Sequence, residues 1–272
     1  MAVEFHLFHL SLIPREQVTL FNFSGTREEW IRHALKDRFE FRHYGKRLYW
    51  VPAEDVDGLI FGHIQRQIPR EYHAEPEEGG FERKGMEWQG AIVLIDPTHH
   101  NDGQKAAVEE DNSVGQPRAI IDSLLKFVNG RGDRPYEVLS NAIFDANEFW
   151  SFSEQHGNRV RYIRFRFAVP NMWQNVDDLY RDLRNAGVIT GAQNITTTYQ
   201  SKDGVKTDTP IIQSAVEYSA QGGGRFSARS LDGVAFSSTS REKIVRIHET
   251  MAAEGGLLPQ LRRLWRRILG GA

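Results

Sequence analysis

The sequence contains no cysteine among its 272 residues. That excludes a disulfide scaffold, a cysteine nucleophile and any thiolate zinc site, and it fits a reducing compartment. No stretch approaches the roughly 18 to 20 consecutive apolar residues needed to span a bilayer. The opening segment, residues 1–13, lacks the positive start and the small-residue cleavage pattern of a signal peptide. The expected location is therefore the cytoplasm, with no membrane partner. Complete catalytic signatures are absent as well: there is no G-x-S-x-G elbow, no P-loop and no G-x-G-x-x-G after a strand.

What is present is ordinary globular material. Hydrophobic residues make up 40% and charged residues 26% of the chain, and sixteen Phe, eight Tyr and six Trp can build a sizeable core. The net charge of −2 conceals an uneven distribution. Residues 71–111 hold eleven acids against three bases, and the last thirty-two residues hold seven bases against three acids. Such asymmetry accompanies polyanion-binding faces and interaction tails, and it also arises from clustered solvated faces.

Alternation and punctuation give a coarse map. Residues 3–13 read as an opening strand with Phe8, Leu10 and Leu12 on one side and Phe5 and Leu7 on the other. Thr26 is placed to cap a helix running to Lys36, with Glu28 and Glu29 in its first turn. Phe39–Tyr44, Arg47–Val51, Leu59–Arg66 and Trp88–Asp96 are strand-like, and residues 69–85 read as a long polar loop. Arg118–Val128 is an amphipathic helix. In the second half the pattern predicts a strand over Val160–Val169, a helix over Trp173–Asn185 ended by Gly187, and a strand over Gln193–Tyr199. Thr209–Ala220 fits both helix and strand periods, with capping residues before it and the glycine run after it favouring helix. A hairpin about Leu231-Asp232-Gly233 and helices over Ser240–Ala253 and Leu257–Leu269 follow. This interspersion without steady βα alternation is α+β, with mixed or antiparallel sheets and flanking helices. If there are two domains, residues 1–135 and 136–272 are the halves, divided near Tyr136–Gly157. A ferredoxin-like arrangement of each half is open, although no sequence repeat supports it.

Four constellations can carry chemistry. Along Val160–Val169, Tyr162, Arg164 and Arg166 share one face, which suits stacked bases and phosphates but also suits a plain solvent face. The last helix carries Leu and Trp on one side and Arg262, Arg263, Arg266 and Arg267 on much of the rest. It can dock on a partner or another copy, touch phosphates, or close the core while its arginines snorkel. Gly222-Gly223-Gly224-Arg225 can turn backbone N–H groups toward a phosphate, with Arg225 assisting, or can simply end a helix. Asp96, His99, Asp102 and Glu109 follow or neighbour the most apolar strand and form a candidate Mg²⁺ or Mn²⁺ nuclease site, though no E-x-K motif accompanies them. With no motif that demands one, no cofactor is expected otherwise. Two short matches are set aside: Arg38 with His43 sits in strand-like context, and His9-x-Ser11 finds its only counterpart, His248-x-Thr250, on an expected helix.

The segments Arg164-Phe165-Arg166-Phe167-Ala168-Val169-Pro170-Asn171-Met172 and Ala215-Val216-Glu217-Tyr218-Ser219-Ala220-Gln221-Gly222-Gly223-Gly224, with Asp57–Gly62 near the start, resemble an uncharacterised bacterial family found among phage-defence and mobile-element genes. The resemblance spans most of the chain and brings no catalytic residues with it. It implies a component of such a system, working as a multimer or beside a partner protein. Joined to the arginine face, it gives three expectations: an RNA- or DNA-binding component, a metal-dependent nuclease, or a non-enzymatic assembly subunit.

Overall fold

One strand, β1 (Ala2–Pro14), organises the larger of two sheets because both its edges and both its faces are used. The computed structural model describes residues 2–15, 25–53, 58–73, 82–98, 104–132, 135–169, 178–248 and Trp265. From β2 (Phe39–His43) the chain meanders through β3 (Lys46–Pro52), β4 (Ile60–His73), β5 (Glu82–Asp96) and β6 (Gln104–Glu109). All these neighbours are antiparallel, and β6 lies against β1. The other edge of β1 is shared end to end by two strands. There β12 (Ile244–His248) pairs with Ala2–His6, and β7 (Tyr136–Ala142) pairs with Phe8–Pro14. They meet at Leu7, whose carbonyl accepts from Ile143 N at 3.0 Å and whose N–H donates to Lys243 O at 3.1 Å.

Alternation sends Phe8, Leu10 and Leu12 into a core closed by α1 (Arg27–Ala34) and α2 (Pro117–Gly130). The expected cap of α1 is present as a reciprocal pair. Thr26 Oγ1 accepts from Glu29 N at 3.2 Å, and the Glu29 carboxylate accepts from Thr26 N at 2.6 Å. The opposite face of the sheet carries a smaller core of Phe5, Leu7, Phe61, Ile92 and Leu94, onto which Trp265 packs.

Between β7 and β12 the chain builds a second sheet in the order β11-β10-β8-β9. Its strands are β8 (Arg159–Ala168), β9 (Asn194–Lys206), β10 (Gly224–Ser230) and β11 (Ala235–Ser237). Helices α3 (Ala146–Gln155), α4 (Asp178–Thr190) and α5 (Pro210–Tyr218) supply Phe149, Phe152, Leu183, Ile212 and Val216 to its inner face. There they meet Ile163, Phe165, Phe167 and Phe226. The fold is α+β, as the interspersed pattern predicts. Its units are not ferredoxin-like: β8 and β9, joined through α4, are direct neighbours with no strand between them. Because β7 and β12 both belong to the first sheet, the second sheet is an excursion from the edge of β1 and not a C-terminal half.

Several local expectations are corrected. The segment read as a long loop, 69–85, is largely a ribbon in which β4 and β5 stay paired out to His73 and Glu82. Beyond the ends of β3 and β6 no described strand pairs with this ribbon, and its largely exposed residues show no clean alternation. Gln104–Glu109, to which the sequence pattern assigns no element, is β6, and its Ala106, Ala107 and Val108 are fully buried. The boundary region contains α3. Ser240–Ala253 is not helical at Ile244–His248, which form β12. Gly187 does not end its helix: α4 continues to Thr190, and a Cβ at Gly187 would lie 2.4 Å from Val169 Cγ1. Of the expected final helix only Trp265 is described, and it is helical. Among the described residues no helix is long and apolar enough to cross a membrane.

Candidate nucleic-acid interface

The outer face of the second sheet is a register-aligned grid of polar side chains. Arg225 of β10, Arg166 of β8 and Thr196 of β9 form one cross-strand row. Ser227, Arg164 and Thr198 form the next, and Arg229, Tyr162 and Gln200 the third. The four arginines are exposed, and Tyr162 is half-buried. None of the nine residues is acidic. Among the described residues no carboxylate forms an ion pair with Arg164, Arg166, Arg225 or Arg229. The internal bond on the face runs from Arg164 Nε to Thr198 Oγ1 at 3.4 Å.

At one border this face descends into a cleft of about 420 Å³ between the two sheets. Its walls are α2, with Arg118, Asp122 and Lys126, and the outer edge of β7; Arg166 and Arg225 stand on the sheet side. A second groove of about 410 Å³ on the sheet face shares Arg166 and Arg225 with the cleft, so the two are continuous. The charge crowding is felt most at Arg225, whose pKa is lowered by partial desolvation first and then by Arg166 and Arg118, with Asp122 opposing. Asp122 accepts from the Ser140 hydroxyl and lies 3.9 Å from Arg118 Nε. Arg118 also stands 3.6 Å from Glu242, a carboxylate shared with His6. His6 Nδ1 is 2.7 Å from Glu242 and Nε2 is 3.1 Å from Glu110. Both ring nitrogens can donate only in the imidazolium form, and the hydrogen bond to Glu242 is the largest cause of the raised His6 pKa, burial opposing it.

Tyr162, Arg164, Arg166 and Arg225 are thus brought onto one surface. Arg229, Arg118, Thr196 and Thr198 join them, and sequence reasoning missed these four. The alternation of β10 could have found Arg229; nothing local could have found Arg118, whose helix meets the second sheet only through tertiary packing. Arg262, Arg263, Arg266 and Arg267 lie outside the described residues. The glycine run is not a phosphate cradle, because each glycine is a point of close approach. A Cβ at Gly222 would lie 2.2 Å from His9 Cβ, at Gly223 2.4 Å from the Tyr218 ring, and at Gly224 2.6 Å from Arg166 O.

The carboxylates proposed for a metal do not converge. Asp96 is buried, accepting from Thr98 N at 2.9 Å and from Trp265 Nε1 at 3.1 Å. Glu109 accepts from Ile92 N at 2.8 Å, and burial raises its pKa. Asp96 stands opposite Lys105, four residues along β6 from Glu109, a separation of about 13 Å at strand pitch. One ion cannot bind both. His99 and Asp102 lie outside the described residues, and among those described no group of three or more His, Asp or Glu is placed to hold a metal. His43 is on β2 with Nδ1 2.9 Å from Ser123 Oγ, and His248 is at the end of β12, so neither short histidine match gains a partner. No protein-family model matches the chain, and no curated protein matches it.

Proposed function

We propose that this protein is a cytoplasmic nucleic-acid-binding component of a bacterial anti-phage-defence or mobile-element system, working as a multimer or beside a partner protein. The carrying observation is the outer face of the second sheet, where four exposed arginines share a grid with hydroxyls, an amide and one tyrosine, and no carboxylate. Guanidinium groups bind phosphate through paired N–H donors, hydroxyls add neutral donors, and Tyr162 offers a ring edge to a base. The biological setting rests on the sequence resemblance alone.

The test is a mobility-shift series with labelled RNA and DNA across salt concentrations, with and without Mg²⁺ or Mn²⁺. Phosphate contacts release counterions, so affinity should fall steeply with salt. Replacing Arg164 and Arg166 by Gln should flatten the slope of log K against log salt by about 0.7 to 0.9 per contact removed. An affinity independent of salt, or a slope unchanged in the double variant, rules the reading out. Products that appear only with metal would point instead to cleavage.

A further inference from the structure

The cleft beside the arginine face has a wall that presents main-chain hydrogen-bonding groups. Strand β7 is an edge, paired only with β1. At Val138 its outward N–H donates to Asn129 Oδ1 at 2.8 Å, and its carbonyl accepts from Asn129 Nδ2 at 2.7 Å. The carboxamide of α2 therefore docks on the strand as an adjacent donor and acceptor. Outward groups recur every second residue in an antiparallel strand, so Ser140 presents the same N–H and carbonyl pair one step further on. The register agrees, because Ile143, an odd residue, bonds inward to Leu7. Ser140 lines the cleft with Arg166 and Arg225 across from it.

Resting on the nucleic-acid reading above, we infer that this cleft takes an unpaired nucleotide, with its Watson–Crick edge on the main chain of Ser140 and its phosphate on Arg166 and Arg225. Every base carries an adjacent donor and acceptor on that edge, as a carboxamide does, and the edge is open only when the base is unpaired. A cleft of about 420 Å³ lies within the range of small-molecule sites, roughly 300 to 1,000 Å³, and admits a splayed base but not a stacked pair. The charge pattern gives the orientation. On the α2 and β7 side Asp122 and Glu137 offset Arg118 and Lys126, whereas the charged lining residues of the sheet side are Arg166 and Arg225, so the net positive charge that draws phosphate lies there. The ligand class is single-stranded nucleic acid, bound with little regard to sequence.

The experiment compares single strands, duplexes and single strands bearing abasic sites, all of one length, for binding to the full-length protein at low salt. Single strands should bind about tenfold or more tighter than duplexes, and abasic strands should bind like duplexes despite equal phosphate charge. Ser140→Pro removes the outward N–H at an edge position where proline is tolerated, and Ser140→Ala controls for the hydroxyl bonded to Asp122. The proline variant should lose the single-strand preference and keep duplex binding; the alanine variant should keep both. Equal binding of all three ligands by wild type overturns the inference and leaves the broader reading standing, as does a proline variant that keeps its preference. Should the proline variant not fold, the abasic comparison on wild type decides by itself. Binding to none of the ligands removes the broader reading and this one together.

Discussion

Arg166 and Arg225 stand directly opposite one another on neighbouring antiparallel strands. Like charges in that position oppose strand pairing, by about 0.2 to 1 kcal/mol for typical cross-strand pairs. Among the described residues no carboxylate forms an ion pair with either arginine, and Asp122 offsets the repulsion at Arg225 only in part. An anion laid between them would remove it. Arg225→Gln should therefore stabilise the free protein slightly, by about 0.5 kcal/mol at low salt, while weakening oligonucleotide binding. Urea unfolding with and without oligonucleotide checks this, and a variant destabilised in both conditions would show that the pair serves the fold.

His6 ties β1 to the chain segment returning from the second sheet. Its folded pKa lies above the ordinary 6.5, chiefly because Glu242 and, behind it, Glu110 hold the imidazolium. A raised folded pKa contributes stability that is fully present below the unfolded value and is lost as pH rises through the folded one. Stability should fall as pH climbs from 6.5 through the folded pKa, and His6→Gln should flatten that part of the profile. Urea midpoints measured across the window check it; a wild-type midpoint that rises there contradicts the assignment.

Trp265 donates its indole N–H to the buried Asp96 carboxylate. Trp265→Phe keeps most of the ring and removes one donor to the buried carboxylate, at a cost of about 1 kcal/mol. Trp265→Ala also opens a cavity against Leu94 and Phe61 and should cost about 3 to 5 kcal/mol. Equilibrium unfolding of the two variants gives the ordering, and equal small effects would mean that the residue does not seat on the sheet.

Gly222 has φ +87° and lies against His9. Gly222→Ala combines a left-handed backbone with a forced contact at 2.2 Å, and should destabilise by about 2 to 3 kcal/mol. His9→Gly in the same chain should recover part of the loss, because the obstructing Cβ and the Cγ behind it at 3.0 Å are both removed. Unfolding curves of the single and double variants test the coupling.

The legibility of these features in the sequence follows the range of the forces behind them. β8 was readable because it is buried on one face and exposed on the other, so Ile163, Phe165 and Phe167 alternate cleanly with Tyr162, Arg164 and Arg166. The α1 cap was readable because Thr26 and Glu29 satisfy each other locally. β12 was not: its residues follow a run suited to starting a helix, and strand pairing is imposed by Ala2–His6, some 240 residues away in the chain. The distal ribbon of β4 and β5 is hidden because, among the described residues, no further strand pairs with it and most of its side chains are at least partly exposed. Clustering of Asp and His along the chain carries no information about strand register, and register is what separates Asp96 from Glu109. For the cleft, the reading main chain of Ser140 has no side-chain signature at all.

The two-part edge of β1 also has a history within each molecule's synthesis. Translation proceeds at about 5 to 20 residues per second, so β1 emerges on the order of ten seconds or more before the ribosome completes β12. Throughout that interval the Ala2–His6 half of its edge has open hydrogen-bonding groups, the kind of template that recruits stray strands. Until β12 arrives to seal it, that edge is a site at which a stray strand can pair.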